Sequence, residues 1–186
     1  MFSQHFTPII SIIYRDLKPD NVGFDVRDDI KIFDFGQAAE MCPNARIDGT
    51  NTYKLTAVSG SPRYMAPECA LGQPYNHMVD VYSFALLCWE LCELKKPYAE
   101  HDFDSLSTNI YNGTERPTLN PKRNSVLNKM IEDSWSLDPS KRIECDDMMT
   151  ILRGDHIISF VFGTFLDNLD MTNNTANSAE QNGNLR

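Results

Sequence analysis

The chain has 186 residues, a formal net charge of −9, 41% hydrophobic and 23% charged residues. That length allows one domain with a sizeable core, and the composition is ordinary for a globular protein. The acidic balance argues against non-specific binding to nucleic acid or anionic membranes, so any phosphate site has to be built locally, from a metal and a few cations.

Residues 1–13 are mildly apolar, without a basic leading segment or a small-residue cleavage site, which speaks against a signal peptide. No apolar run approaches the length of a membrane span. Residues 9–14 are apolar and β-branched and lead into a polar loop. Gly23-Phe24-Asp25-Val26 and Ile30-Lys31-Ile32-Phe33 alternate around the turn formers Asp28-Asp29 and predict a small hairpin. Residues 36–61 are polar, with Pro43, Gly49, Gly60 and no sustained period. A loop of that length points to a functional role.

Helices are expected from there on. Residues 79–94 are apolar almost all round, which predicts a buried central helix ended by Pro97; the interior Asp80 and Glu90 argue against a membrane span. A shorter helix is expected over 103–111, stopped by Gly113 and Pro117. Residues 125–135 carry Val126, Met130 and Trp135 near helical spacing, with Ser125 as N-cap. Residues 143–152 form another, with Met148, Met149 and Leu152 facing a core. Residues 156–169 have an amphipathic spacing that predicts one more packed helix, with a partner-binding helix as the alternative. From residue 170 to residue 186 the Asn/Thr/Ser/Gln-rich sequence predicts a disordered tail. The five cysteines are odd in number and unpaired in spacing. Cys88 and Cys92 share one face of the central helix and read as small buried hydrophobes, with zinc or a disulfide as the alternative; a reducing, cytoplasmic setting is expected.

Three blocks carry the chemistry: Tyr14-Arg15-Asp16-Leu17-Lys18-Pro19-Asp20-Asn21, then Asp34-Phe35-Gly36, then Ala66-Pro67-Glu68 with a Gly60-Ser61-Pro62-Arg63-Tyr64 lead-in. Alone, an Asp-x-x-x-x-Asn pattern is a solvated turn. Jointly, in this order and spacing, the blocks resemble the catalytic loop, metal-binding triplet and activation-segment end of a eukaryotic protein kinase. Lys18 and the segment from Gly60 to Tyr64 are similar to the serine/threonine type, including the tyrosine-kinase-like branch.

The resemblance implies ATP and Mg²⁺ as cofactors and a protein substrate. Asp16 would accept the hydrogen bond of the substrate hydroxyl, Lys18 would place a charge near the transferred phosphoryl group, and Asn21 and Asp34 would hold the metal and with it the nucleotide. Ser61 would bond both Asp16 and Lys18. Asp80 would cap backbone amides of the catalytic loop, and Glu68 and Arg142 would form a buried ion pair. Arg15 would grip a phosphate placed on the loop by an upstream activating kinase, with Thr50, Thr52, Thr56 and Ser59 as acceptors.

Two departures stand out. Tyr14 replaces the family's usual histidine, though its ring can still stack on Phe35, the neighbour of Gly36. Gly23 stands where a large apolar side chain usually lies beneath the adenine, so that floor would be missing or borrowed from Phe24 or Val22. Only thirteen residues precede Tyr14. The expected fold is therefore mainly α with a small β-hairpin: residues 1–155 as the carboxy-terminal lobe, with the amino-terminal lobe absent. Its partner-facing surface would be exposed and partly apolar. The reading is a truncated serine/threonine kinase domain inactive alone, with a non-catalytic, pseudokinase-like protein-binding module as the alternative.

Overall fold

The computed structural model describes residues 11–154, so the expected helix over 156–169 and the tail beyond it lie outside the described residues. Strand β1 (Ile12–Ile13) pairs antiparallel with β4 (Ala39–Glu40), in register Ile12 with Glu40. Between them, β2 (Val22–Phe24) and β3 (Ile30–Ile32) form the expected hairpin, with β2 starting one residue early and ending two short and β3 ending one short, and with Gly23 opposite Lys31. The Asp25 carboxylate accepts from the Arg27 and Asp29 amides at 2.8 and 3.1 Å and closes the turn.

The rest is helical: α1 (Pro67–Ala70), α2 (Met78–Glu93), α3 (Phe103–Ser105), α4 (Ser125–Ser134) and α5 (Cys145–Arg153). Helix α2 is the axle. Its Val79, Val81, Tyr82, Ala85, Leu86 and Trp89 are buried on several faces, which explains why its sequence shows no apolar stripe. It packs against α4, and α4 against α5. The helix stops at Glu93 with Leu94 in the left-handed region, before Pro97 is reached. No described helix is long and apolar enough to cross a membrane.

Polar side chains on the first turns of α2 connect it to the loops. Ser83 donates to the Tyr64 carbonyl at 2.7 Å. The guanidinium groups of Arg142 and Arg116 both lie over the Tyr82 ring, 5.1 and 5.3 Å from its centroid.

Three local expectations need correction. The N-cap of α4 is Asn124, whose side chain accepts from the Val126 and Leu127 amides at 2.8 and 3.2 Å; Ser125 is the first helical residue. Starting there turns Leu127, Met130 and Ile131 inward and leaves Val126 49% exposed. Met148 is buried but Met149 is turned out, because Ile151 and Leu152 complete the inner face of α5. The expected 103–111 helix begins as one α-turn capped by Asp102 and continues as a π-helical stretch, Leu106–Tyr111. The wider turn lets Leu106, Ile110 and Tyr111 all be buried, and the Tyr111 hydroxyl donates to the Pro62 carbonyl at 2.6 Å.

All five cysteines are free, and Cys88 and Cys92 pack against the core as expected. Among the described residues no cluster of three or more His, Cys, Asp or Glu side chains forms.

Candidate active site

The loop from Tyr14 to Asn21 is shaped by its contact with α2. Arg15 has φ 70, a left-handed backbone that a long side chain adopts only when its surroundings enforce it. The enforcing group is Asp80, whose two carboxylate oxygens accept from the Tyr14 and Arg15 amides, each at 2.7 Å. Burial pushes the Asp80 carboxyl above its ordinary range, and the two amide bonds pull it part of the way back. From the other side, Gly60 (φ 106) closes on the turn: a Cβ there would lie 2.1 Å from the Arg15 carbonyl oxygen. Only glycine fits.

That close approach delivers Ser61 to Asp16. The Asp16 carboxylate, 7% exposed, accepts from the Ser61 amide at 2.7 Å and from the Asn21 side-chain amide at 2.9 Å. Lys18 sits 3.0 Å from its Oδ2 and donates to the Ser61 hydroxyl at 2.7 Å. Burial alone would raise the Asp16 pKa, but the bonds from Ser61, Lys18 and Asn21 outweigh it and hold the carboxyl below its ordinary value. Asp16 is thus an ionised oxygen pair fixed by a ring of donors, able to accept one further hydrogen bond. The Ser61 expectation gains one contact: its backbone amide also donates to Asp16, while its hydroxyl accepts from Lys18.

Asn21 ends a single 3-10 turn, Pro19–Asn21, and both N–H groups of its side chain face Asp16, one reaching the Asp16 carbonyl at 2.8 Å. Its Oδ1 is the pole turned away. Its carbonyl accepts from the Phe33 amide at 2.8 Å, which places Asp34, two residues past the end of β3, beside this loop. Asp34 is exposed and left-handed (φ 53), and its Oδ1 accepts from Gly36 at 3.1 Å. Tyr14 joins the two sides. Its ring meets Phe35 edge-on at 5.3 Å and its hydroxyl donates to the Phe33 carbonyl. Burial raises the Tyr14 pKa, the Asn21 side chain pulls it back, and the charges of Asp16, Asp34 and Asp80 add to the rise. Hard oxygens from Asp34 and Asn21 are donors of the kind Mg²⁺ takes.

Four sequence expectations find their places, and two of them change. Glu68 and Arg142 form a buried bidentate pair at 2.6 and 2.8 Å. Asp80 caps the loop as anticipated. The space over Gly23 is neither empty nor borrowed from Phe24 or Val22: the Phe33 ring fills it, and a Cβ on Gly23 would stand 2.8 Å from that ring. Arg15 is already engaged, donating to the Gln37 and Thr56 carbonyls and to the Tyr75 hydroxyl. Of the candidate phosphate acceptors, Thr50 and Thr56 are exposed, Thr52 is half-buried and Ser59 is buried. Gly60 and Tyr75 were missed as functional positions; a glycine directly before the Ser61 motif was the one available signal. A cleft of about 380 Å³ is lined by Lys18, Ser61, Arg63, His101, Phe103 and Leu106.

The family model described as "Protein kinase domain" matches residues 6–151. The chain belongs to the protein kinase domain family. Every site residue from Tyr14 to Arg142 falls within the matched kinase span. The chain is 33% identical over 72% of its length to the dual specificity protein kinase shkD of Dictyostelium discoideum. It is 31% identical over 76% of its length to the serine/threonine-protein kinase STY17 of Arabidopsis thaliana, and 36% identical over 70% to the serine/threonine-protein kinase VIK of the same plant. The chain covers 17%, 24% and 30% of those three proteins, respectively.

Proposed function

We propose that this chain carries the carboxy-terminal lobe of a serine/threonine protein kinase and the half of its active site that handles the substrate hydroxyl and the metal. The observation that carries the reading is Asp16, held ionised by Ser61, Lys18 and Asn21. Asp16 accepts the hydrogen bond of a substrate Ser or Thr hydroxyl and orients it for attack. Lys18, fixed by Ser61, lies where charge develops as the phosphoryl group moves. Asn21 and Asp34 hold Mg²⁺. Bound ATP with that metal supplies the phosphoryl group and neutralises its charge. The Phe33 ring over Gly23 supplies the apolar surface for the base. The cleft lined by Lys18 and Ser61 receives the substrate peptide along the π-helical stretch, and an upstream kinase finds Thr50 exposed.

The sequence contains no Gly-x-Gly-x-x-Gly, so the phosphate-covering elements come from outside it. With Mg·ATP and a generic basic protein, the chain alone is expected to transfer phosphate negligibly. Fused to the glycine-rich lobe of a matched relative it is expected to transfer, and Asp16→Asn abolishes that transfer. A folded, ATP-binding fusion without activity would sink the proposal. Five free cysteines fit a cytoplasmic setting.

A second reading, a non-catalytic binding module, is favoured by one observation. Ile12, Phe24, Ile30 and Phe35 are all at least 60% exposed along the hairpin side. That reading expects a specific partner to be retained in the Asp34→Ala variant.

A further inference from the structure

Arg15 is a cation of the catalytic loop whose side chain reaches into the long polar segment. It donates from Nε to the Gln37 carbonyl, and from Nη1 to the Thr56 carbonyl at 3.4 Å and to the Tyr75 hydroxyl at 3.0 Å. Three of the five N–H donors of a guanidinium are thereby engaged by neutral oxygens. The Tyr75 hydroxyl, on a residue only 2% exposed, donates its own hydrogen bond to the Thr56 carbonyl at 2.7 Å, which closes a three-membered network.

The backbone of Tyr75 holds the same segment. It exchanges hydrogen bonds with Tyr53 at 2.8 and 3.2 Å, and Tyr53 in turn bridges to Arg46. Within the segment, Ile47 donates to the Thr52 carbonyl at 2.9 Å and Lys54 to the Ala45 carbonyl at 2.8 Å, while Asn76 reaches the Asn51 carbonyl at 2.9 Å. Residues 45–54 are therefore a small, pinned turn. Its tip uses the hydroxyl that a kinase would modify: Thr50 donates to the Ile47 carbonyl at 2.9 Å and accepts from the Thr52 amide at 3.2 Å. Phosphorylation of Thr50 would remove that donor. Ser59 is buried, with its hydroxyl turned to the Thr56 carbonyl at 3.3 Å.

We propose that Tyr75 is a positioning residue that, through Arg15 and Thr56, holds residues 45–58 in their described conformation without a phosphate on the segment. The consequence for regulation, a substrate-side loop ordered constitutively, rests on the kinase reading. The ordering itself does not, so the experiment below can fail while that reading stands.

The test is hydrogen–deuterium exchange on the full chain after phosphatase treatment, with mass spectrometry confirming that it carries no phosphate. The amides of Ile47, Tyr53 and Lys54 are expected to exchange at least about tenfold more slowly than in free peptides. Tyr75→Phe keeps the ring and removes the hydroxyl, and is expected to speed those amides about tenfold while α2 amides are unchanged. Arg15→Lys, which cannot reach three acceptors at once, is expected to do the same. The double variant is expected to be no faster than either single one, because both act on one network. Free-peptide exchange in the unphosphorylated wild type would overturn the proposal, as would protection that appears only once Thr50 or Thr52 is phosphorylated. Unchanged protection in Tyr75→Phe, or additive effects of the two substitutions, would also overturn it. The wild-type measurement stands even if a variant fails to fold.

Discussion

Replacing Arg142 with methionine puts the deepest charge of the fold to the test. Its side chain is fully buried and satisfied by four acceptors: both oxygens of Glu68, the Met78 carbonyl at 2.8 Å and the Ser136 carbonyl at 2.9 Å. It also covers one face of the Tyr82 ring. Arg142→Met keeps the volume but leaves Glu68 as a buried carboxylate without its partner, a change that costs about 3–5 kcal/mol. At roughly 2–4 °C per kcal/mol for a chain of this size, the melting temperature falls by about 10 °C. Glu68→Leu costs less, because the guanidinium it strands keeps the two carbonyls and the ring. The double variant Glu68→Leu/Arg142→Met recovers part of the loss, since no charge is then left buried. Thermal and urea denaturation followed by circular dichroism give all three values. An Arg142→Met variant within about 1 kcal/mol of wild type would refute the reasoning, because it would mean that the pair is solvated.

Other consequences follow from close contacts around the site. Gly60→Ala forces a Cβ against the Arg15 carbonyl on a positive φ, and urea unfolding is expected to show a loss of at least about 1–3 kcal/mol. Gly23→Leu collides with the Phe33 ring, and the added substitution Phe33→Ala is expected to restore most of the lost stability. A carbon-detected NMR titration is expected to place the Asp16 midpoint below the ordinary carboxylate value of 3.8, with Lys18→Met moving it up. A lowered folded-state pKa stabilises the fold above that ordinary value, and the contribution is lost as pH falls through the folded pKa. The stability gap between wild type and Asp16→Asn should therefore narrow in acid; a gap that widens would contradict the assignment.

The parts of this site that were legible in the sequence are those written as short motifs. Asp16, Lys18 and Asn21 lie within six residues of one another, and the hairpin that brings up Asp34 is local too. The Glu68–Arg142 pair and the Asp80 cap were reachable only through resemblance, because they join residues 74 and 65–66 positions apart. Helix α2 was readable from apolar content, whereas the cap of α4 was read one residue late because Asn124 and Ser125 are both capping residues and only the backbone decides between them. Gly23 was read as a gap in an apolar floor. It is instead the space that a Phe33 ring needs, a volume exchange invisible without the fold. Tyr75 and Gly60 owe their roles to the left-handed turn at Arg15, and periodicity or propensity cannot reveal such a turn at an arginine.

Paramagnetic Mn²⁺, a stand-in for Mg²⁺, tests the central claim most directly, because it broadens the NMR signals of nuclei near the metal. Titrated into the chain with ATP, it is expected to broaden Asn21, Phe35 and Gly36 selectively, and Asp34→Ala is expected to abolish the effect while the spectrum of α2 stays intact. No selective broadening in the folded chain, or broadening that survives Asp34→Ala, would mean that these oxygens do not form the metal site on which the proposed phosphoryl transfer depends.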